Sequence, residues 1–213
     1  MLRGGDTNRT AFRAFTEFLP SATRLQVASR VPPIPGQFSL ETGGQKLETV
    51  PVQKTVYLSL GSNLGDRAGN LRSAIEKLGS LGKVVALSSF YETEPVTVTE
   101  QPWFLNCAVK LDTDKMPRQL LAGILTLERQ MGRRRTQSKG PRTIDIDIVL
   151  FGNSVLATAD LVVPHPAMQE RRFVLEPLTE IAADVRHPRL ERTIRELRDA
   201  LPPGQAVRRL SHT

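Results

Sequence analysis

Residues 144–151, IDIDIVLF, set two aspartates inside a run that is otherwise isoleucine, valine, leucine and phenylalanine. Eight residues of this kind predict a strand, and side chains alternate along a strand. Ile144, Ile146, Ile148 and Leu150 are therefore expected on one face, with Asp145 and Asp147 on the other, about 6.6 to 6.8 Å apart along the chain. The apolar row demands a core. The carboxylates demand a partner, because two like charges this close repel and are costly to cover unpaired; arginine or a divalent cation answers that demand. Two readings stay open at this point. One is a solvated strand face salt-bridged to Arg142. The other is a Mg²⁺ site, since Mg²⁺ takes one or two carboxylates and fills its shell with water and phosphate oxygens, and such a pair can hold two ions roughly 3.5 to 4 Å apart.

The segment ahead of this strand narrows the choice. Gly132 to Arg142, GRRRTQSKGPR, carries Arg133, Arg134, Arg135, Lys139 and Arg142 with no acid and no aliphatic side chain, so it cannot pack as core and is expected to be a loop. Five cations beside two metal-holding carboxylates suit a polyphosphate, and a loop held at both ends by regular elements suits a lid; a solvated basic loop is the alternative. In the run FLNCAVKL, 104–111, Phe104 and Asn106 share a face opposite Leu105, Cys107, Val109 and Leu111. A flat heterocycle could stack on that ring and pair with that amide, although a core role for Phe104 is the plainer reading. His165, between two prolines, could donate to a phosphate or be an incidental surface residue.

The remaining pattern supplies a frame. A strand is expected at 56–60, a helix carrying Leu71, Ile75 and Leu78, strands at 84–92 and 104–111, a helix from Pro117 to Gly132 striped with Leu120, Leu121, Ile124 and Leu125, and the strand at 144–151. This order, β-α-β-β-α-β, is the ferredoxin-like split unit of an α+β fold, with helices on one face and a C-terminal extension holding a helix near 191–200. Residues 1–54 differ: they are rich in Pro, Gly and polar residues and keep no period, so the domain is expected over 55–213. A flexible extension, a wrongly included upstream start and an arginine-rich organelle-targeting peptide all fit that tail.

Lys and Arg number 29 against 22 acids, a formal charge of +7, which favours an anionic partner without choosing among nucleic acid, membrane and phosphorylated small molecules. The one cysteine, Cys107, permits no intrachain disulfide and no thiolate metal cluster, in keeping with the cytoplasm. No apolar run approaches the roughly 20 residues that span a bilayer.

Taken together, LSLGSNLGDR (58–67), FYETEPV (90–96), QPWFLNCAV (101–109), LERQMGRRR (127–135), GPRTIDIDIVLFG (140–152) and VPHPAMQERRFVLEPL (163–178) resemble the 6-hydroxymethyl-7,8-dihydropterin pyrophosphokinase family of folate biosynthesis, from about Val56 to the region of Ile181. The resemblance implies a ferredoxin-like fold and transfer of pyrophosphate from ATP to the hydroxymethyl group of the pterin, with release of AMP. It implies that Asp145 and Asp147 bind two Mg²⁺ ions, that Arg133 and Arg142 assist transfer, and that Arg135, Arg142, Ile148 and His165 contact ATP. By the same resemblance Phe104 and Phe173 sandwich the pterin, while Asn106 and the segment from Thr93 to Val96 hold its polar edge. Glu128 and Arg171 match family positions without a role that their chemistry suggests. Lys139 and Pro166 stand where some members have Trp and Tyr. The expected partners are small-molecule substrates, with no nucleic acid, no membrane and a monomeric state. A catalytically silent relative and a basic ferredoxin-like RNA-binding module are the alternatives, but the Lys/Arg-Gly-Phe signature of the latter is missing. An Asp-x-Asp glycosyltransferase would need a larger nucleotide-binding domain than this chain carries.

Overall fold

β1 (Lys54–Ser62) occupies the middle of an antiparallel sheet, where the row Val56, Leu58 and Leu60 is fully buried. The computed structural model describes residues 53–96, 100–133 and 140–210. β1 pairs with β4 (Phe104–Thr113) on one side and β5 (Asp145–Phe151) on the other. Along its far edge β4 carries β2 (Lys83–Leu87) and then β3 (Tyr91–Thr93). The run 84–92, expected as one strand, is therefore two. Ser88, Ser89 and Phe90 part them, and Ser88 keeps the ladder closed by donating its N–H to the Ala108 carbonyl (3.0 Å) while its Oγ accepts from the Ala108 N–H (2.8 Å). Beyond β3 lies β8 (Val207–Arg209), a strand the sequence pattern did not predict; the order is β5-β1-β4-β3-β8. β6 (Leu156–Ala157) and β7 (Val162–Val163) form a separate small hairpin.

Two helices cover the first face. α1 (Arg67–Leu78) is capped by the Asp66 carboxylate, which accepts from Gly69 N–H at 2.9 Å, and it buries Leu71, Ala74 and Leu78. α2 (Pro117–Gln130) begins with proline in its first turn and buries Leu120, Ile124 and Leu127. Against them pack Leu58, Leu60, Cys107, Val109, Ile146 and Ile148. Each such side chain contributes roughly 1.5 to 3 kcal/mol on burial, so this layer dominates the hydrophobic stabilisation. Cys107 is a free thiol whose pKa burial pushes far up, so it behaves as a small apolar residue.

The second face corrects the expectation of helices on one face only. α3 (Arg172–Ala182) and α4 (Ile194–Asp199) cover it, with Val174, Leu175, Leu178, Ile194 and Leu197 packed on Tyr57, Ala108, Val149 and Leu150. A bulge in β5 makes this possible. Ile148 pairs with Leu58 and Leu150 with Tyr57, so Val149 is one residue too many for β1. The alternation slips there: Leu150 joins the second face and Phe151 the first, whereas Leu150 was expected beside Ile148. The second face is thus divided along its strands. Its apolar end lies beneath α3 and α4, and its other end carries Ser59, Gly61, Phe104, Asn106, Asp145 and Asp147 around an open cavity. Among the described residues no helix is long and apolar enough to cross a membrane.

Candidate active site

The cavity is about 530 Å³, within the range of small-molecule sites. Arg133 reaches it through the way α2 ends. Gly132 adopts φ +82°, its N–H donates to the Arg129 carbonyl (3.1 Å), and Arg133 N–H donates to the Glu128 carbonyl (3.0 Å), the Schellman pattern of bonds. This turns the chain so that the Arg133 guanidinium folds back onto the Glu128 carboxylate and also meets Asp145 Oδ1 at 2.7 Å. Glu128, only 2% exposed, accepts a further hydrogen bond from Ile146 N–H at 2.8 Å. Burial raises its pKa, and Arg133 and the Ile146 N–H oppose that rise. A buried acid on the core side of α2 thereby joins the end of the helix to the start of β5.

Arg142 is held through its backbone to the turn after β1 by Asn63. Its guanidinium pairs with Asp145. The salt-bridged reading of the carboxylates therefore describes Asp145, whose two oxygens face Arg133 and Arg142. It does not describe Asp147, which has no ion pair among the described residues. Burial, and next the charge of Asp145, push the Asp147 pKa up to about 6. A half-buried carboxylate without an ion pair, on the cavity wall beside a second one, is a donor set suited to Mg²⁺, which takes one or two carboxylates and leaves positions for water and phosphate oxygens. Among the described residues no group of three or more His, Cys, Asp or Glu side chains is arranged to hold a metal ion, so nothing there resembles a closed protein cage for one.

The opposite end of the cavity is built for a flat molecule. Asn106 Nδ2 donates to Thr93 Oγ1 at 2.7 Å, which fixes the amide plane inside the wall. Gly61 stands opposite Asn106 across the ladder, and a Cβ there would lie 2.7 Å from Asn106 Oδ1, closer than side chains tolerate. Glycine is what lets the amide lie in this position. Phe104 lines this end from β4 and Phe173 from α3. The Arg171 guanidinium lies 5.7 Å from the Phe173 ring centre.

His165 is oriented by its own loop. Ala167 N–H donates to His165 Nδ1 at 3.2 Å, which assigns the proton of the neutral ring to Nε2, the nitrogen 3.5 Å from Arg171 Nη1. Burial first, and the Arg171 charge second, lower the His165 pKa and favour that neutral form. Arg171 and His165 together can present donors to an anion.

Ten of the residues given a role in the sequence thus line one cavity, Thr93, Val96, Phe104, Asn106, Arg133, Arg142, Asp145, Asp147, His165 and Phe173, and Arg171 lines it with them. Ile148 does not; its side chain belongs to the core. Arg135 and Lys139 lie outside the described residues. Sequence reasoning gave no role to Asn63, Glu128 or Arg171. The buried Glu128 carried one signal, a carboxylate on the apolar stripe of α2.

Such a cavity can hold a polyphosphate at its guanidinium end and a flat, hydrogen-bonding ring at the other, the outfit of a phosphoryl-transfer protein with a heterocyclic substrate. The chain belongs to the 7,8-dihydro-6-hydroxymethylpterin-pyrophosphokinase family, whose model matches residues 57–183. It is 46% identical over 131 residues to the 2-amino-4-hydroxy-6-hydroxymethyldihydropteridine pyrophosphokinase of Methylorubrum extorquens, covering 61% of this chain and 83% of that protein. It is also 43% identical over 136 residues to folic acid synthesis protein fol1 of Pneumocystis carinii, covering 63% of this chain and 18% of that one. The chain thus spans about a fifth of the length of fol1-type relatives, 18% to 23%. A crystal structure of Plasmodium falciparum HPPK-DHPS has a similar fold, with a TM-score of 0.56 at 18% identity over 69% of this chain and 43% of that chain.

Proposed function

We propose that this chain transfers pyrophosphate from ATP to the hydroxymethyl group of 6-hydroxymethyl-7,8-dihydropterin, a reading supported by its similarity to proteins named 2-amino-4-hydroxy-6-hydroxymethyldihydropteridine pyrophosphokinase. The observation that carries the reading is the division of one cavity into a carboxylate and guanidinium end and an amide and aromatic end, both built on the same sheet face. In the transfer, the hydroxymethyl oxygen forms a bond to the β-phosphorus of ATP, the bond from that phosphorus to the oxygen shared with the α-phosphate breaks, AMP keeps that oxygen, and the hydroxyl proton is released.

Phe104 and Phe173 hold the pterin ring by stacking, and Asn106 with the Thr93 to Val96 segment pairs with its polar edge. This positions the hydroxymethyl oxygen toward the phosphates, which is worth more than ground-state affinity because a near-attack geometry removes orientational entropy from the barrier. Arg133 and Arg142 approach the phosphate oxygens from the end of the cavity that Asp145 occupies, and their forks stabilise charge that gathers on the bridging oxygen. His165 and Arg171 extend this set, with Arg135 as a further cation. At Ile148 a nucleotide contact falls to the backbone of β5, an edge strand. Asp145 and Asp147 are the residues that would hold Mg²⁺, two ions in this reading; Mg²⁺ when bound neutralises phosphate oxygens and aligns them. The strand order is, in this reading, that of the ferredoxin-like fold, with β2 and β3 together serving as its second strand. Action in the cytoplasm on small molecules, as a monomer, belongs to the same reading.

Incubation with ATP, Mg²⁺ and the reduced hydroxymethylpterin, followed by nucleotide chromatography, tests it. AMP formed only in the presence of pterin is the expected result. ADP as the sole product, or no pterin-dependent turnover, rejects the assignment.

A further inference from the structure

We propose that Gln205, in the C-terminal segment, is a positioning residue that sets the width of the aromatic end of the cavity by tying Phe173 to the wall at Glu94. This deepens the pterin reading above and rests on it. Gln205 lines the cavity, and its side-chain amide makes two hydrogen bonds in opposite senses. Its Oε1 accepts from the Phe173 N–H at 3.3 Å, and its Nε2 donates to the Glu94 carbonyl at 2.7 Å. One planar group thus bridges the two segments that flank the ring slot: the start of α3, which carries Phe173, and the chain leaving β3 toward Val96.

Each end of that bridge meets a need of the fold. The first N–H groups of a helix have no partner within it, and α3 has no side-chain cap of its own, since Arg171 occupies the capping position. Gln205 supplies an acceptor from a distant part of the chain. At the other end Glu94 has left the β3 ladder, and its N–H is held by the Ala206 carbonyl at 3.1 Å. Glu94 is therefore gripped on both its backbone groups by consecutive residues, 205 and 206. The C-terminal segment is in turn anchored by pairing of β8 with β3 and by Arg209, which meets Glu180 at 2.9 Å and Ser89 Oγ at 3.0 Å. The strap is fixed, and the ring slot is referred to it.

A side chain that served only to cap α3 would need an acceptor alone. The donor to Glu94 is what adds control of the slot, and substitution separates the two. Gln205→Glu keeps an acceptor for the Phe173 N–H and removes the donor to Glu94; Gln205→Ala removes both. In steady-state assays with ATP and the reduced hydroxymethylpterin, both variants are expected to raise KM for the pterin about five- to tenfold, several times more than they lower kcat, with KM for ATP the parameter that moves least. Thermal unfolding is expected to be lowered in Gln205→Ala and to return toward the wild type in Gln205→Glu. A lowered Tm in Gln205→Ala with pterin KM unchanged in both variants overturns the proposal and leaves Gln205 a helix cap. Equal rises in KM for pterin and ATP also overturn it. If the wild-type protein makes no AMP from these substrates, the pterin reading fails and this inference fails with it; an active wild type with indifferent variants removes this inference alone.

Discussion

Asn63 and Arg142, 79 residues apart, hold each other's backbone in both directions. Arg142 N–H donates to Asn63 Oδ1 at 2.6 Å, and Asn63 N–H donates to the Arg142 carbonyl at 3.0 Å. Asn63 Nδ2 in turn donates to Gln101 Oε1 at 3.1 Å and to the Pro102 carbonyl at 3.3 Å. The exit of the arginine-rich segment is thereby clamped to the turn after β1. Asn63→Ala is expected to cost about 1 to 3 kcal/mol of stability, from the unsatisfied Arg142 N–H, and to lower kcat by a larger factor than it raises KM for either substrate. Denaturant unfolding beside steady-state kinetics decides; a stability loss with normal kcat would show that Arg142 finds its place without the clamp.

The carboxylate pair predicts a pH-dependent balance. Asp147 binds its proton more tightly folded than unfolded, with a pKa moved from 3.8 to about 6. Its contribution to stability is therefore complete below about pH 4 and is lost as pH rises through about 6. Asp147→Asn is expected to stabilise the metal-free protein at pH 7.5 by about 1 to 3 kcal/mol, with the difference fading toward pH 4, and to abolish turnover. Added Mg²⁺ should raise the Tm of the wild type at pH 7.5 and do little at pH 5. Thermal melts across this range check both signs; near-normal turnover of the variant at limiting Mg²⁺ overturns the metal assignment.

Stacking predicts a selective loss. Phe104→Ala should weaken pterin binding by roughly 1 to 3 kcal/mol, the range for a base on an aromatic ring, with ATP affinity little changed. Calorimetry with each ligand separately measures this, and equal losses would assign Phe104 to packing.

The guanidiniums predict a split between rate and affinity. If the proposed transfer holds, Arg133→Ala and Arg142→Ala should lower kcat far more than they weaken ATP binding, since guanidiniums placed at the phosphates stabilise most the charge that gathers on the bridging oxygen. Arg142→Lys should restore part of the rate, because an ammonium keeps the charge and loses the planar fork. Losses confined to ATP Kd, with kcat intact, reject this role.

What could be read from the sequence follows the range over which each determinant acts. The alternation of β5 was legible as far as Ile148, and with it the shared face of Asp145 and Asp147. It failed at Leu150, because a bulge depends on how β1 is paired and leaves no local mark. α3 escaped notice because Pro177 interrupts its pattern, although that residue is buried within the helix. Arg133 was legible as a cation near the carboxylates. Its fold-back onto Glu128 follows from Gly132, which the sequence marks only as the end of a helix. Phe173 entered through family resemblance alone, since its place on the cavity wall depends on how α3 docks. β8 was invisible for the same reason: three residues, VRR, become a strand only where β3 offers an edge.

The bulge at Val149 also divides β5 into two lengths that answer to different demands. Upstream of it the strand presents two carboxylates to the cavity, and downstream it supplies one core side chain to each helical layer. In an unbroken ladder Leu150 would face α1 and α2 and Phe151 the layer of α3 and α4, the reverse of what is found. The extra residue therefore lets the two ends of one short strand meet unlike surroundings without a turn in the chain.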